Sequence, residues 1–197
     1  MAKTFHIYLF RHGETTYNRD KRFTGFHDPP LTKKGIRQAN IIAKKLKNKK
    51  FRIAFYTKLK RSKQTLKKVL KYHPGCKILK KDNRIIERNY GLLNGTLHKD
   101  YIKKYSLKTF NKIHRDFYTR PLKGESFADV EKRVAPFIKD LKKLMEKEKT
   151  NVAISAHGNS IRLFRKIMEK ASIKSACSWK IPYDKVFDYK IKEIKVH

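Results

Sequence analysis

The chain has 197 residues, enough for one domain with a buried core, and its 39% hydrophobic content with 12 Phe and 10 Tyr excludes a disordered chain. Its 51 Lys and Arg against 17 Asp and Glu give a formal net charge of +34, a field that draws in anionic molecules. Cys76 and Cys177 stand alone, with neither zinc-site nor disulfide-framework spacing, and the apolar run at 7–10 is too short for a signal sequence or a membrane span. A cytoplasmic protein with no membrane partner is therefore expected.

Taken in chain order, FHIYLF at 5–10 reads as a buried strand that delivers Arg11, His12, Gly13 and Glu14 to its end. In 32–47, Ile36, Ala39, Ile42 and Leu46 fall on one helical face. RIAFY at 52–56 is a second strand; TKLKRSKQT follows and places Arg61 at the start of a helix over 60–72, with Leu66, Val69 and Leu70 inward. CKILK at 76–80 is a further strand. The polar, aromatic and turn-rich region at about 83–124 breaks the rhythm and reads as an insertion capping the sheet. A long helical pattern over 126–149 carries Phe127, Val130, Val134, Phe137, Leu141 and Leu144, and Pro136 inside it predicts a kink or break. NVAISA at 151–156 is another buried strand, and the helix after it turns Ile161, Phe164 and Ile167 or Met168 to one side. KVFDYKI at 185–191 is the last strand; it and 76–80 belong nearer the sheet edges. Strands alternating with helices predict an α/β fold: one domain over 1–197, a three-layer α/β/α sandwich with a mostly parallel sheet.

Two strand ends matter for chemistry. FHIYLF runs into Arg11-His12-Gly13, and NVAISA runs into His157-Gly158-Asn159-Ser160. Ligands of open α/β sheets bind beyond the carboxyl ends of the strands, so both histidines are expected at one edge. Each precedes a glycine that allows close backbone approach, and Gly158 also opens a helix whose amides favour an anion. Arg61 arrives from a third strand end. Two arginines and two histidines in one place suit the oxygens of a phosphate group.

These segments resemble the histidine phosphatase superfamily. RHGETTYN carries the signature with its downstream Asn18; FTGFHDPPLTKKGIRQA at 23–39 is similar to the phosphate loop and first helix; LKRSKQT at 59–65 and SAHGNSIR at 155–162 match the segments of the second arginine and second histidine. ERNYGLLNG at 87–95, GES at 124–126 and AHGNS at 156–160 resemble, more narrowly, the short cofactor-dependent phosphoglycerate mutases. The resemblance implies that His12 is the phosphorylated nucleophile and that Arg11, Arg61 and His157 neutralise the transferring group. It makes Glu87 the general acid and base, and Asn18, Thr24, Gly25, Tyr90, Arg115, Gly158 and Asn159 the substrate-binding residues. The substrate would be a small phosphorylated metabolite of glycolysis, with 2,3-bisphosphoglycerate as phosphoryl donor if the protein is a mutase. No metal is implied.

The mutase pattern uses a lysine and two adjacent arginines in the insertion to hold the substrate's second anion. In gapless register from Glu87, His98 takes the lysine's position and His114-Arg115 the arginine pair's. Two cations thus become histidines, which acidification through the usual range near ~6.5 would charge. Lys99 and Lys112 are available nearby as substitutes. Little chain follows His157 to close over the site. These departures favour water as acceptor, so a histidine phosphatase hydrolysing small phosphomonoesters is the alternative to mutase chemistry. A basic nucleic-acid-binding protein on the same fold would not need the full constellation, and the lysines are spread through nearly every segment instead of forming one block. His6, His27, His73 and His197 are assigned no chemistry. Oligomeric state stays open.

Overall fold

The computed structural model describes residues 4–192. The elements follow in the order β1 (Thr4–Arg11), α1 (Thr16–Arg19), α2 (Lys33–Leu46), β2 (Ile53–Tyr56), α3 (Lys60–Leu70) and β3 (Ile78–Lys81). The capping region then contributes two short 3-10 turns (Asn83–Ile85 and Gly91–Leu93), α4 (His98–Tyr105) and α5 (Leu107–Arg115). After it come α6 (Phe127–Glu148), β4 (Val152–Ala156), α7 (Gly158–Met168), α8 (Ile173–Ser178) and β5 (Val186–Lys192).

The sheet order is β3-β2-β4-β1-β5; β5 alone is antiparallel, paired with β1. Central β4 is buried at every residue, whereas β3 and β5 form the edges, as their weaker apolar patterns require. Exposed Lys80 and Lys81 on β3 discourage a further strand from pairing there. Strand β1 shows how the layers arise. Phe5, Ile7 and Leu9 point into a core shared with α6 and α7, while Tyr8 and Phe10 point into the core under α2 and α3. Among the described residues, no helix is long and apolar enough to cross a membrane.

Two local expectations are corrected. Helix α6 runs unbroken for 22 residues through Pro136. That proline is exposed, and the cost of its missing rung and steric clash, about 3 kcal/mol, is outweighed by burial of Val130, Val134, Phe137 and Leu141 on either side. Ile36 is 39% exposed, and α2 instead buries Gly35, Ala39, Ile42, Ala43 and Leu46. The cause lies at the start of the helix, where Gly35 packs its backbone on the loop after β1. A Cβ on Gly13 would lie 2.2 Å from the Gly35 carbonyl oxygen, and one on Gly35 would lie 2.0 Å from that of Glu14. This backbone contact fixes both the helix rotation and the position of the loop that carries His12.

Candidate active site

Strands β1 and β4 lie side by side with Arg11 opposite Ala156, so their ends deliver His12 and His157 together. The ring centroids are 5.0 Å apart, and both side chains are buried. His12 Nδ1 lies 2.7 Å from the Gly13 carbonyl oxygen, which can only accept. That assigns the ring proton to Nδ1 and leaves a lone pair on Nε2. Burial, reinforced by the positive charges of Arg61 and Arg11, holds the His12 pKa well below the usual histidine range, so the imidazole is neutral.

His157 Nε2 is 2.8 Å from Thr57 Oγ1, which already accepts from Leu59 N–H. With the Thr57 hydroxyl donating to Nε2, the imidazole proton sits on Nδ1. His157 is also kept neutral, by burial and then by the charge of Arg61. Its Nδ1 is buried without a protein hydrogen-bond partner, as are Arg11 Nε and Arg61 Nε. Arg162, which lines the site's cavity, also has an unpartnered Nε, and such atoms suit a polar ligand because a buried unsatisfied donor costs about 1–3 kcal/mol.

Arg61 is wholly buried and locked from behind: Nη1 donates to the His27 carbonyl at 2.6 Å and Nη2 to the Gly25 carbonyl at 2.9 Å. Gly25 holds a φ of +47°, and a Cβ there would lie 1.8 Å from Asn94 Oδ1, so the loop requires glycine. Burial pushes the Arg61 pKa down to about 10, with the group still cationic at neutral pH. Thr65 Oγ1 accepts from Gly13 N–H at 3.1 Å and donates to the Arg61 carbonyl at 2.9 Å, tying the first strand end to the third. Arg11 Nη1 donates to the Ile181 carbonyl at 2.9 Å, and Tyr183 lies against its guanidinium.

Glu87 is buried, and its Oε1 accepts from the amides of Arg88 at 2.8 Å and Asn159 at 3.0 Å. Its carboxylate, His12 and His157 present ligand atoms within 4.8 Å of one another, close enough to share one small ligand. A metal ion would meet the same three residues. However, the adjacent guanidiniums of Arg11 and Arg61 make the surroundings cationic, which is a donor set for an anion.

A cavity of about 500 Å³ opens beyond these groups. Of the substrate-binding residues expected from sequence, Asn18, Thr24, Gly25, Tyr90, Arg115, Gly158 and Asn159 all line it, together with Arg11 and Glu87. Asn18 is placed by a capping box with Thr15 and donates to Thr24 Oγ1 at 3.4 Å, and Asn159 Nδ2 donates to Tyr90 Oη at 3.3 Å. His12, Arg61 and His157 form the buried end of the site.

Three sequence expectations change here. His98 and His114 line the cavity but belong to an aromatic cluster: His98 lies 4.5 Å from the Phe23 ring and 5.1 Å from Phe110, and His114 lies 5.0 Å from Phe110. Burial pushes their pKa values down to about 4 and about 3, so neither is a cation near pH 6.5. Exposed Lys99 and Lys112 are not in the cavity wall, whereas Lys21, Arg22, Arg162 and Lys180 are. The chain after His157 also supplies a wall, from Trp179 through Tyr183. Sequence periodicity could not find Lys21, Arg22, Lys180 or the Trp179–Tyr183 stretch, since loop conformation brings them in; Arg162 arrives on α7. The one local signal was the arginines themselves, in a chain whose cations are mostly lysine.

An α/β sheet whose strand ends bring two neutral histidines, one buried and one half-buried arginine and a carboxylate around unpartnered donors defines an enzyme built to handle a phosphoryl-sized anion. Residues 7–193 match the model of the histidine phosphatase superfamily (branch 1). The chain is 35% identical over 162 residues to a phosphoglycerate mutase of Schizosaccharomyces pombe, covering 79% of this chain and 75% of that one. It is 35% identical over 159 residues to a 2,3-bisphosphoglycerate-dependent phosphoglycerate mutase 2 of Gloeobacter violaceus, covering 79% and 72%. The structure of a mycobacterial glucosyl-3-phosphoglycerate phosphatase superposes with a TM-score of 0.77 at 22% identity, covering 89% of this chain and 84% of that one, a likeness of fold. The chain belongs to the histidine phosphatase superfamily.

Proposed function

We propose that the protein interconverts 3- and 2-phosphoglycerate through a phosphohistidine, with 2,3-bisphosphoglycerate supplying the phosphoryl group. The observation that carries this reading is the double character of the cavity. Besides the buried donors of the strand ends, the same cavity is lined by the cations Lys21, Arg22, Arg115 and Lys180, as a substrate with a second anionic group requires. The mutase names of the relatives at 35% identity agree with it.

In this reading the Nε2 lone pair of His12 attacks phosphorus in line with the leaving oxygen. Arg11, Arg61 and the Nδ1–H of His157 meet the equatorial oxygens, already oriented before the reaction. A neutral His157 donates without adding another charge beside two guanidiniums. Glu87, held at Oε1 by two amides, gives a proton to the leaving oxygen and later takes one from the incoming hydroxyl. Lys21, Arg22, Arg115 and Lys180 hold the remaining anion of either phosphoglycerate or 2,3-bisphosphoglycerate.

Hydrolysis is the second reading, and the uncharged His98 and His114 favour it by loosening the hold on a phosphoglycerate acceptor. One assay separates the two: purified protein with 3-phosphoglycerate, with and without 2,3-bisphosphoglycerate, measuring 2-phosphoglycerate and free phosphate. The expected result is 2-phosphoglycerate formation that depends on 2,3-bisphosphoglycerate. Release of free phosphate alone overturns the mutase reading in favour of a phosphatase.

A further inference from the structure

The Arg11 guanidinium sits in a narrow slot. Its Cζ is 4.0 Å from the centroid of the Tyr183 ring, and its Nη1 donates to the Ile181 carbonyl two residues earlier in the same loop. Gly158 also packs on it: a Cβ at that position would approach Arg11 Cζ to 3.3 Å. These contacts leave Nε buried without a protein partner, one of several such atoms at the site. The Tyr183 ring also stands edge-on to His12, with centroids 6.4 Å apart.

The slot answers an electrostatic problem. Arg11 and Arg61 are like charges close enough that each disfavours the charged form of buried groups around them. Without an anion between them they repel, and a flexible arginine at a strand end would swing toward water. An aromatic face offers a guanidinium its negative quadrupole without a competing anion, and so holds the charge without occupying the phosphate's place. A carboxylate in that position would instead form a closed ion pair and mask Arg11 from substrate.

We propose that Tyr183 is a positioning residue for phosphoryl transfer, holding Arg11 with Nε free to meet a phosphate oxygen. The inference rests on the phosphoryl-transfer reading of the site and assigns work to the loop between α8 and β5, outside every segment that resembles the family's signature. The ring supplies this function, and the hydroxyl is dispensable.

Orthovanadate binding, measured by calorimetry on the full chain, tests it together with thermal unfolding. Tyr183→Phe should bind within about twofold of wild type, and Tyr183→Leu should bind roughly tenfold more weakly, the scale of one partly desolvated cation–π contact. In an Arg11→Met background, Tyr183→Leu should cause no further loss, because the ring acts through that arginine. Additive losses, equal losses in the Phe and Leu variants, or wild-type affinity in a folded Leu variant would each overturn the proposal. Tyr183→Met, bulky but without a ring, repeats the test should the leucine variant not fold; unfolding of both marks the ring as structural and also overturns it. Failure of the wild-type protein to bind vanadate would instead break the phosphoryl-transfer reading itself.

Discussion

At the strand ends, Arg61 is gripped by the carbonyls of Gly25 and His27, His12 by that of Gly13, and His157 by the Thr57 hydroxyl. Across the cavity, His98 and His114 lie instead among the rings of Phe23, Tyr90 and Phe110. All four histidines are neutral, with burial the largest cause at each and nearby positive charges second: Arg61 at His12 and His157, Lys21 at His98 and Arg115 at His114. What differs is the company each keeps. One region is a polar network in which each group has a fixed direction, and the other is an apolar wall that happens to contain imidazoles. The residue type alone does not say which role a histidine plays; the groups that surround it do.

The sharpest way to break this comparison is at His12. His12→Gln should abolish both phosphoryl-enzyme formation and turnover, by at least ~10³-fold, since the neighbouring imidazole of His157 has its Nε2 engaged by Thr57. Incubation with a phosphorylated substrate, followed by trapping of an acid-labile and base-stable adduct, reads the first effect. An active variant carrying that adduct would show that another residue is the nucleophile. Arg61→Ala should lower kcat/KM by about 10²–10³-fold, the scale for one preorganised donor in a buried site, and should weaken vanadate inhibition in parallel. Retained vanadate affinity would place Arg61 outside the clamp.

At the wall, the comparison predicts smaller and more selective effects. Lys21 lines the cavity, and its carbonyl accepts from His98 N–H at 2.9 Å, so its charge enters from beside the position where the mutase pattern has lysine. Lys21→Met should raise KM for 3-phosphoglycerate by about tenfold, an energy near 1.4 kcal/mol, while leaving KM for p-nitrophenyl phosphate, which has no second anion, unchanged. Equal effects on both substrates would remove Lys21 from second-anion recognition.

A separate effect is on stability. His98 and His114 have folded-state pKa values of about 4 and about 3, below the ~6.5 of a free histidine. The unfolded chain therefore binds protons first as pH falls, and stability that is complete above pH ~6.5 is lost progressively toward those lower values. The share of His98 and His114 in the stability lost between pH 7 and 4, read by chemical denaturation as the difference from a variant lacking both, should be on the order of 2 kcal/mol, allowing for solvent screening at half-buried His98. His114→Phe should shallow that slope without slowing turnover near neutral pH. An unchanged slope would mean that His114 is charged in the folded protein. The same placement withdraws the sequence-based expectation that acidification through pH 6.5 charges this wall and favours mutase turnover.

The strand-end site was legible because strand, glycine and helix start follow one another in a few residues, as in Ala156-His157-Gly158, and because parallel strands carry their ends to one edge. The alternation of strands and helices likewise determined the sheet, its layers and its weaker edges, since burial of a two-faced strand is a local property of its side chains. Tertiary structure decided what local pattern does not encode. Pro136 stays inside α6 because burial on both sides outweighs one missing rung, and Ile36 turns outward because Gly35 must meet the loop after β1. Lys21, Lys180 and Tyr183 enter the cavity through loop paths, and the insertion packs His98 and His114 among aromatic rings. Whether those imidazoles carry charge depends on desolvation by residues distant in the chain, a sum over three-dimensional neighbours that no spacing of residues along the sequence contains.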